Sequence, residues 1–448
     1  MKANHKTVII VGSGIKGLLA ALRFSEKGYQ VEVVDGSRQV GGILNSPSWD
    51  DIIIDLGCHL FFHENDEVTK TILSVIGDDF HPIDIEYASF LSKEKTEGVA
   101  IPNFECLDEV QKNKIYSEIL IKEKSIDHLN SLSDYYENRF GVTATSEINR
   151  CIKKSHLIES SELDLIANRL LPFERIRIFP LEKALSLKFD SWFDDKIAVP
   201  RNHNIYEKQK LVNSKYDFRE FYPSDKGLKS FGEKLHNKLL DQGVVFHLNT
   251  SVENIVYSTS YDLKTNKGYL SSQYLYWAAP QYLIPKVFGL KENLNNYLHN
   301  IPVILYYYLV SKDKVSSLTY VHNYDESSYC FRISIQSNYA ENNIPKDMAL
   351  ICCEVPAKLE SSIWISKDTF VNTIWEEVIA MGLVENVDFV KSKSIQASSA
   401  FKLPLKGYTT LFEQIKSKIK SKNLLGINSW DFSKNEILHQ INEELNSL

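Results

Sequence analysis

The feature that most constrains this chain is a glycine cluster between a short apolar strand and an amphipathic helix. Residues 7–37 read TVIIVGSGIKGLLAALRFSEKGYQVEVVDGS. The periodicity predicts a strand at residues 8–11, a helix after the glycines and a second strand at residues 31–34. That order is typical of a βαβ unit, in which the glycine turn leads directly into the helix.

The glycines have the spacing of the dinucleotide-binding motif G-x-G-x-x-G. Gly12 permits a tight turn, Gly14 lets the backbone approach a pyrophosphate, and Gly17 allows the helix to pack closely on the strand. The first N–H groups of the helix and its positive dipole end suit the phosphates. Asp35, which closes the second strand, can accept hydrogen bonds from a ribose diol. The pattern predicts dinucleotide binding, with a plain glycine-rich turn as the alternative.

Length and composition limit the classes of protein that this chain can belong to. Its 448 residues predict two or three domains, or one large domain with insertions. Hydrophobic residues make up 43% and charged residues 24%, which is typical of globular proteins. The net charge of -7 argues against a dedicated nucleic-acid binder, because the required surplus of positive charge is missing.

The cysteines and the apolar segments predict a cytoplasmic protein without a metal site. The six cysteines lack CxxC spacing, so we expect reduced, structural thiols. Residues 1–6 are short and polar and do not form a signal peptide. The longest apolar stretch, residues 301–310, is about half the length that spans a bilayer, and we expect no transmembrane segment.

The segment after Asp35 separates two classes of dinucleotide-binding protein. A nicotinamide dehydrogenase normally continues into another helix and a third parallel strand. Here a second glycine pair, Gly41 and Gly42, follows within a few residues. An extended stretch then leads to the sequence IIIDLGCHLFF at residues 52–62.

Residues 8–42 resemble the FAD fingerprint of the glutathione-reductase-type flavoproteins. The resemblance is to the branch with amine oxidases, protoporphyrinogen oxidase, phytoene desaturases and UDP-galactopyranose mutase. Residues 55–62 are similar to the D-x-G-x-H-x-F segment of the desaturase and mutase members. The resemblance implies that the chain binds FAD, although most members carry Glu where this chain has Asp35.

The same resemblance implies which residues contact FAD. They are Gly12, Ser13, Gly14, Ile15 and Gly17 in the first loop; Asp35, Gly36 and Ser37 after the second strand; Gly41, Gly42, Ile43 and Leu44 in the second glycine loop; Gly57 and His59 near the isoalloxazine ring; Val252 at the adenine; and Gly426 and Asn428 at the pyrophosphate.

Three later segments resemble the parts of these proteins that complete the FAD-binding domain. In residues 219–257 we expect a helix at 228–240 and strands at 244–248 and 252–257, with an unrelated helix and hairpin as the alternative. Residues 274–280 resemble the strand that returns to the substrate domain. Residues 423–431 resemble the closing strand of these proteins, although this chain has Gly426-Ile427-Asn428 where members carry G-D or G-R.

The predicted fold class is α/β, with a Rossmann-like FAD-binding domain of the GR2 type, a discontinuous α+β substrate domain and a helical insertion. We expect the FAD-binding domain at residues 1–90, 215–285 and 395–448. A mostly helical insertion or cap is expected at residues 91–214, and a β-rich substrate domain at residues 286–394. Within the substrate domain, residues 301–310 and 348–355 predict strands, and residues 364–381 predict one packed helix.

Candidates for catalysis and substrate binding are fewer. His59 and His63 are the catalytic candidates, because histidine can relay a proton or bind phosphate near neutral pH; the alternative is that each fills a polar niche. Five basic residues would suit a phosphorylated or nucleotide-linked substrate, or else form a solvated face: Arg175, Arg177, Lys183, Lys188 and Arg201.

Three functions are compatible with these features. The first is an FAD-dependent oxidoreductase that transfers a hydride from a small or nucleotide-linked substrate to the flavin. The second is a mutase-like isomerase that acts on a nucleotide sugar in polysaccharide biosynthesis. The third is a flavoprotein scaffold without turnover, which the departure at residues 426–428 keeps open. The expected partner is a small molecule and not a nucleic acid, and the oligomeric state is not indicated.

Overall fold

The computed structural model describes residues 6–121, 128–204, 211–212, 214–340, 344–419, 421, 423–427 and 434–448. Its strands are β1 (Thr7–Val11), β2 (Gln30–Val34), β3 (Ser48–Trp49), β4 (Ile52–Ile53), β5 (Phe61–Phe62), β6 (Phe80–Ile83), β7 (Tyr87–Leu91), β8 (Glu94–Glu97), β9 (Glu220–Pro223), β10 (Val245–His247), β11 (Val252–Tyr257), β12 (Tyr261–Thr265), β13 (Gly268–Ser272), β14 (Tyr274–Trp277), β15 (Leu298–Ser311), β16 (Tyr320–Asn323), β17 (Arg332–Ile335), β18 (Met348–Pro356), β19 (Lys391–Pro404) and β20 (Leu424–Leu425).

The α-helices of the described residues are α1 (Ile15–Glu26), α2 (Asp66–Ile76), α3 (Glu109–Ile119), α4 (Leu132–Phe140), α5 (Val142–His156), α6 (Leu181–Leu187), α7 (Ser191–Lys196), α8 (Gly227–Asp241), α9 (Ile284–Val287), α10 (Ser362–Ile365), α11 (Val371–Ala380), α12 (Tyr408–Lys418) and α13 (Lys434–Asn446). None of them is long and apolar enough to cross a bilayer.

The chain divides into two compact units. The first comprises Met1–Ile83, Ser214–Asn296 and Thr410–Leu448, and the second comprises Asp84–Asn213 and Tyr297–Thr409. The second unit holds both the helical segment and most of the β-rich segment expected from the sequence. It also includes β19, part of which we expected in the FAD-binding domain, because β19 pairs along its length with β15.

The first unit is built on a parallel sheet of five strands in the order β10-β2-β1-β14-β20. β1 lies beside both β2 and β14 in parallel register, and α1 connects β1 to β2. Ile9 and Ile10 of β1 and Leu18, Leu22 and Phe24 of α1 are fully buried. The expected βαβ unit and the α/β fold class are therefore confirmed.

Smaller antiparallel sheets complete the first unit. One has the order β5-β9-β6, and it joins the segment around residue 61 to β9, which lies some 160 positions later in the chain. Another is the meander β11-β12-β13, and β3 and β4 form a short hairpin. These sheets determine where the residues between the second glycine pair and α2 lie.

The second unit contains a sheet of seven strands in the order β19-β15-β18-β17-β16-β7-β8. One face of this sheet is apolar, and its buried residues form a core with α10 and α11, for example Ile304, Ile351, Ile374 and Trp375. The helical part of this unit is formed by α3 to α7.

The prediction of one helix over residues 364–381 is wrong. α10 ends at Ile365, a 3-10 turn covers Lys367–Phe370, and α11 begins only at Val371. Ser366 leaves the helical conformation (φ -121, ψ 41), and its carbonyl accepts a hydrogen bond from the Thr369 hydroxyl at 2.8 Å. Such bonds from side chain to backbone compete with the regular helical bonds, and they explain the interruption.

Candidate dinucleotide-binding site

The glycine turn between β1 and α1 is required by the packing of the first unit itself. Gly12 has φ +105, and its N–H donates to the Val34 carbonyl at 2.8 Å. A Cβ on Gly12 would lie 2.8 Å from the backbone nitrogen of Ala279, and a Cβ on Gly17 would lie 1.8 Å from the Gly12 carbonyl oxygen. Neither position can hold a side chain without moving β1 or α1.

Gly14 is different, because none of the described residues requires glycine there. Its φ of -69 is open to any residue, and a Cβ on Gly14 would meet no described atom within 4 Å. Among the described residues no side chain caps α1, which begins after Gly14, and its first turn carries no acidic residue. The N–H groups and the dipole of α1 therefore favour an anion, and the open space beside Gly14 fits a pyrophosphate.

Asp35 is joined directly to this loop. Its Oδ2 accepts hydrogen bonds from the Ser13 N–H at 2.6 Å and from the Ser13 hydroxyl at 2.7 Å, and its Oδ1 accepts from the Ser37 N–H at 2.7 Å. Burial opposes ionisation of this carboxyl, but the hydrogen bonds from Ser37 and Ser13 outweigh it and lower the pKa of Asp35. Asp35 is therefore ionised at neutral pH and fixed in orientation.

The second glycine loop packs against the first. The Gly41 N–H donates to the Ser13 carbonyl at 2.8 Å, and a Cβ on Gly42 would lie 3.4 Å from the Gly14 Cα. Beyond this pair, Ile43 is 46% exposed whereas Leu44 is buried. The two glycine loops thus form one continuous backbone surface around the open space at Gly14.

The segment that leads into β11 lies beside Asp35. The Asn249 N–H donates to the Ser37 carbonyl at 2.9 Å, and the Thr250 N–H donates to the Asp35 carbonyl at 2.8 Å. A Cβ on Gly36 would come within 3.3 Å of the Ser251 hydroxyl. Val252 follows directly after these three residues, at the start of β11.

Gly426, the residue after β20, is fixed close to the start of α1. The Lys16 ammonium donates to the Gly426 carbonyl at 2.7 Å, and the Gly426 N–H donates to the Glu444 carboxylate at 3.0 Å. With φ +76, a Cβ on Gly426 would lie 2.6 Å from the Trp277 carbonyl oxygen. The other C-terminal candidate, Asn428, lies outside the described residues.

A buried carboxylate that sequence reasoning did not single out connects the next segment. Asp55 is 2% exposed; its Oδ1 accepts from the Ser46 hydroxyl at 2.5 Å, and its Oδ2 accepts from the Tyr222 hydroxyl. Burial and the charge of Asp55 together raise the pKa of Tyr222 well above its usual range. The signal that points to Asp55 is its place at the end of three isoleucines, where a charge is costly without partners.

The two histidine candidates lie in different surroundings. His59 is half-buried, and its Nε2 donates to the Leu56 carbonyl at 3.0 Å. His63 is buried, with Nδ1 2.7 Å from the Thr69 hydroxyl and Nε2 2.7 Å from the Ser214 hydroxyl. Both ring nitrogens of His63 are thus used inside the first unit.

The basic residues of the second unit are mostly engaged in its own structure. Lys188 pairs with the Asp194 carboxylate at 2.6 Å, and Arg175 donates to the Asp194 carbonyl at 3.1 Å. Lys183 lies over the stacked rings of Tyr116 and Phe179. Arg175 and Lys183 are exposed, which agrees with the solvated-face alternative, whereas Lys188 is half-buried beside its carboxylate partner.

Arg177 is the exception among these basic residues. Its Nε and Nη1 are buried without a hydrogen-bond partner among the described residues, and Glu105 is 3.9 Å from its Nη2. Burial lowers the pKa of Arg177 despite this carboxylate.

Comparison with known proteins finds one matching family and several relatives that align with parts of the chain. Residues 10–74 match the family described as NAD(P)-binding Rossmann-like domain. The chain is 30% identical over 169 residues to the 1-hydroxycarotenoid 3,4-desaturase of Flavobacterium sp. (strain P99-3), which is 35% of this chain and 31% of the relative. It is 43% identical over 42 residues to the flavin-dependent L-tryptophan oxidase RebO of Lentzea aerocolonigenes, which is 9% of each protein.

The similarity to solved structures extends over the whole chain. The crystal structure of reduced UDP-galactopyranose mutase superposes with a TM-score of 0.75, covering 100% of this chain and 95% of that chain at 15% identity. The chain therefore has the same fold as this mutase. The expected resemblance is thereby confirmed at the level of the fold. Because the chain spans about a third or less of the two sequence relatives, their activities do not transfer directly.

Proposed function

We propose that this flavoprotein-fold chain is an FAD-dependent oxidoreductase that transfers a hydride between a polar small molecule and the flavin. The observation that best supports FAD as the cofactor is the environment of Gly14. Neither its backbone conformation nor its packing against the described residues requires glycine, and the space beside it lies at the start of α1, where no described side chain forms a cap. A dinucleotide pyrophosphate needs this combination of open space and unpaired N–H groups.

The residues of the first unit would divide the work of holding FAD. The start of α1 and the two glycine loops would bind the pyrophosphate, and Gly426 would close the loop from the C-terminal side. Asp35 and Val252 would contact the adenosine half, and Gly57 and His59 the ring. The bound flavin would supply the hydride acceptor. His59, whose ring is held by the contact of Nε2 with the Leu56 carbonyl, would be the proton acceptor when a substrate loses a proton.

Side chains of the second unit favour a polar substrate and argue against an apolar polyene. The seven-stranded sheet has a second face, opposite the core that it forms with α10 and α11. Strand register places two mostly polar and aromatic rows of side chains on that face: Ser89, His322, Arg332, Glu354 and Leu305 in one row, and Tyr87, Tyr320, Ser334, Cys352 and Tyr307 in the other.

Two features of this face favour a ligand that carries hydroxyl or ionic groups. The hydroxyls of Ser89 and Ser334 are almost fully buried and have no hydrogen-bond partner among the described residues. Arg332 pairs with Glu354 at 2.6 Å, and Tyr87 stacks on Tyr320 with ring centroids 5.5 Å apart. Hydroxyls and an ion pair are unfavourable next to a hydrocarbon, and their presence on this face favours a polar ligand.

A second candidate is a mutase-like isomerase that acts on a nucleotide sugar. Two observations favour it: the fold matches UDP-galactopyranose mutase over nearly the whole of both chains, and residues 55–62 have the D-x-G-x-H-x-F pattern. Such an isomerase would need the flavin reduced beforehand and would produce no net oxidation. The scaffold without turnover is the third candidate, and it predicts FAD binding without any response to substrates.

The test is titration of the purified protein with FAD, followed by anaerobic mixing with a panel of amines, tetrapyrroles and nucleotide sugars. Bleaching of the oxidised flavin by one compound would support the oxidoreductase and identify its substrate class. Isomerisation of a nucleotide sugar only after chemical reduction would support the mutase. A protein that stays colourless with excess FAD would overturn the cofactor assignment.

A further inference from the structure

Asp55 connects its own segment to the residue after the second glycine loop and to β9, which follows 167 positions later in the chain. Its carboxylate holds Ser46 through one oxygen and Tyr222 of β9 through the other. Its own carbonyl accepts from the Gly57 N–H at 3.0 Å, at the turn that leads to His59. Asp55, Ser46 and Tyr222 are each at least 95% buried. A buried carboxylate with two hydroxyl donors is a strong and directional junction.

A short series of backbone hydrogen bonds continues from this junction to the phosphate loop. The Ser46 N–H donates to the Leu44 carbonyl at 2.9 Å, and the Leu44 N–H donates to the Gly41 carbonyl at 3.0 Å. The Gly41 N–H in turn donates to the Ser13 carbonyl at 2.8 Å. Asp55 thus determines, through Ser46, where the second glycine loop lies against the first.

We propose that Asp55 is a positioning residue that holds the second glycine loop and the turn at Gly57 in the geometry needed for the flavin half of FAD. This inference rests on the proposed function, in which the glycine loops bind FAD. The segment at Asp35 is held by hydrogen bonds of its own: the Asp35 N–H donates to the His247 carbonyl, and the Asn249 and Thr250 N–H groups donate to the Ser37 and Asp35 carbonyls. Its loss should therefore affect the flavin half and leave the adenosine half unchanged.

The experiment compares the affinities for FAD and for ADP, measured by calorimetry on the full chain. For Asp55→Asn we expect FAD binding to be about tenfold to a hundredfold weaker, since a hydrogen-bonded charge is lost. ADP binding should stay within about twofold of the wild-type value. Asp51→Asn, at an exposed acid four positions earlier, is the matched control and should change neither affinity.

Two milder variants keep the inference testable if Asp55→Asn does not fold. Ser46→Ala cuts the connection to the glycine loop, and Tyr222→Phe cuts the connection to β9 while it keeps the ring. Ser46→Ala should weaken FAD binding more than Tyr222→Phe does, and neither should affect ADP.

The possible results separate this inference from the proposed function. A merely structural role of Asp55 would lower the affinities for FAD and ADP together, and that result would overturn the inference. Unchanged FAD binding in Asp55→Asn would overturn it as well. If the wild-type protein binds ADP but no FAD, both the cofactor assignment and the inference are wrong.

Discussion

Ser13 holds the Asp35 carboxylate with both its backbone N–H and its hydroxyl, at 2.6 and 2.7 Å. The acid that the motif assigns to a ribose is therefore also part of the turn that surrounds the phosphate site. Two roles follow for one carboxylate: it fixes the loop before any ligand binds, and its remaining lone pairs stay available to a diol. The loop is thus preorganised by a residue from the neighbouring strand.

Asp35→Asn should lower the free energy of unfolding at pH 7 by about 1 kcal/mol, because Asn cannot accept all three hydrogen bonds. Since the pKa of Asp35 is lowered in the folded protein, its contribution is present above the ordinary carboxyl pKa near 3.8. It is lost as the pH falls through the depressed pKa. Urea unfolding of both proteins at pH 7 and near pH 3 checks this, and a constant difference at the two pH values would contradict it.

A larger residue at position 14 should affect FAD binding, whereas a larger residue at position 17 should affect stability. A Cβ at position 14 meets no described atom within 4 Å, so Gly14→Leu should leave the melting temperature of the cofactor-free protein nearly unchanged while abolishing FAD retention. Gly17→Ala drives a methyl into the Gly12 carbonyl and should destabilise the cofactor-free protein by several kcal/mol. Flavin absorbance and thermal melting of the two variants test the pair. Flavin retention in Gly14→Leu would show that the phosphate loop is misplaced.

We expect His59 to act in the reaction and His63 to stabilise the fold. His63 is buried between two hydroxyls, so His63→Gln should cost about 1–3 kcal/mol of stability. His59→Gln should leave stability within about 0.5 kcal/mol and slow turnover of a reactive substrate. Chemical denaturation and steady-state rates across pH 5–9 give both values. A loss of stability in His59→Gln with unchanged turnover would reverse the assignment.

How much of the fold and of the candidate site can be predicted from the sequence depends on how far apart the interacting residues are along the chain. The βαβ unit was predictable because its strands, glycines and acid follow one another within about 30 residues, each with a local pattern. The junction of Asp55 and Tyr222 was not, since the two residues are 167 positions apart and no local periodicity relates them. The break at Ser366 was missed for a different reason: the apolar spacing continues across it, and only the local hydrogen bonds reveal the interruption.

The polar face of the seven-stranded sheet predicts a change in substrate affinity. Arg332→Met removes the cation from this face, so kcat/KM for the substrate should fall about tenfold to a hundredfold while flavin content stays constant. Arg150→Met, at an exposed arginine of α5 that pairs with Glu147 and Glu326, is the matched control. Stopped-flow reduction of the flavin over a range of substrate concentrations measures the effect. An unchanged kcat/KM in Arg332→Met would remove this face from the substrate site.

The cysteines give a prediction that is independent of any ligand. All six are free thiols, but only Cys58 and Cys106 are partly exposed. Burial raises the pKa of Cys106, and it raises the pKa of Cys353 within the apolar core of the second unit. Because the thiolate is the reactive form, buried thiols with raised pKa values react slowly even when small reagents enter.

Labelling with an aromatic disulfide reagent at pH 8 should therefore modify Cys58 first and Cys106 more slowly. The remaining four thiols should react only after unfolding in guanidinium, which brings the total to six. Peptide mapping assigns each label, and Cys58→Ser should remove the fast phase without changing the slow one. Rapid native labelling of Cys330 or Cys353 would contradict their placement in the core, because a fully buried thiol reacts only when the surrounding structure opens.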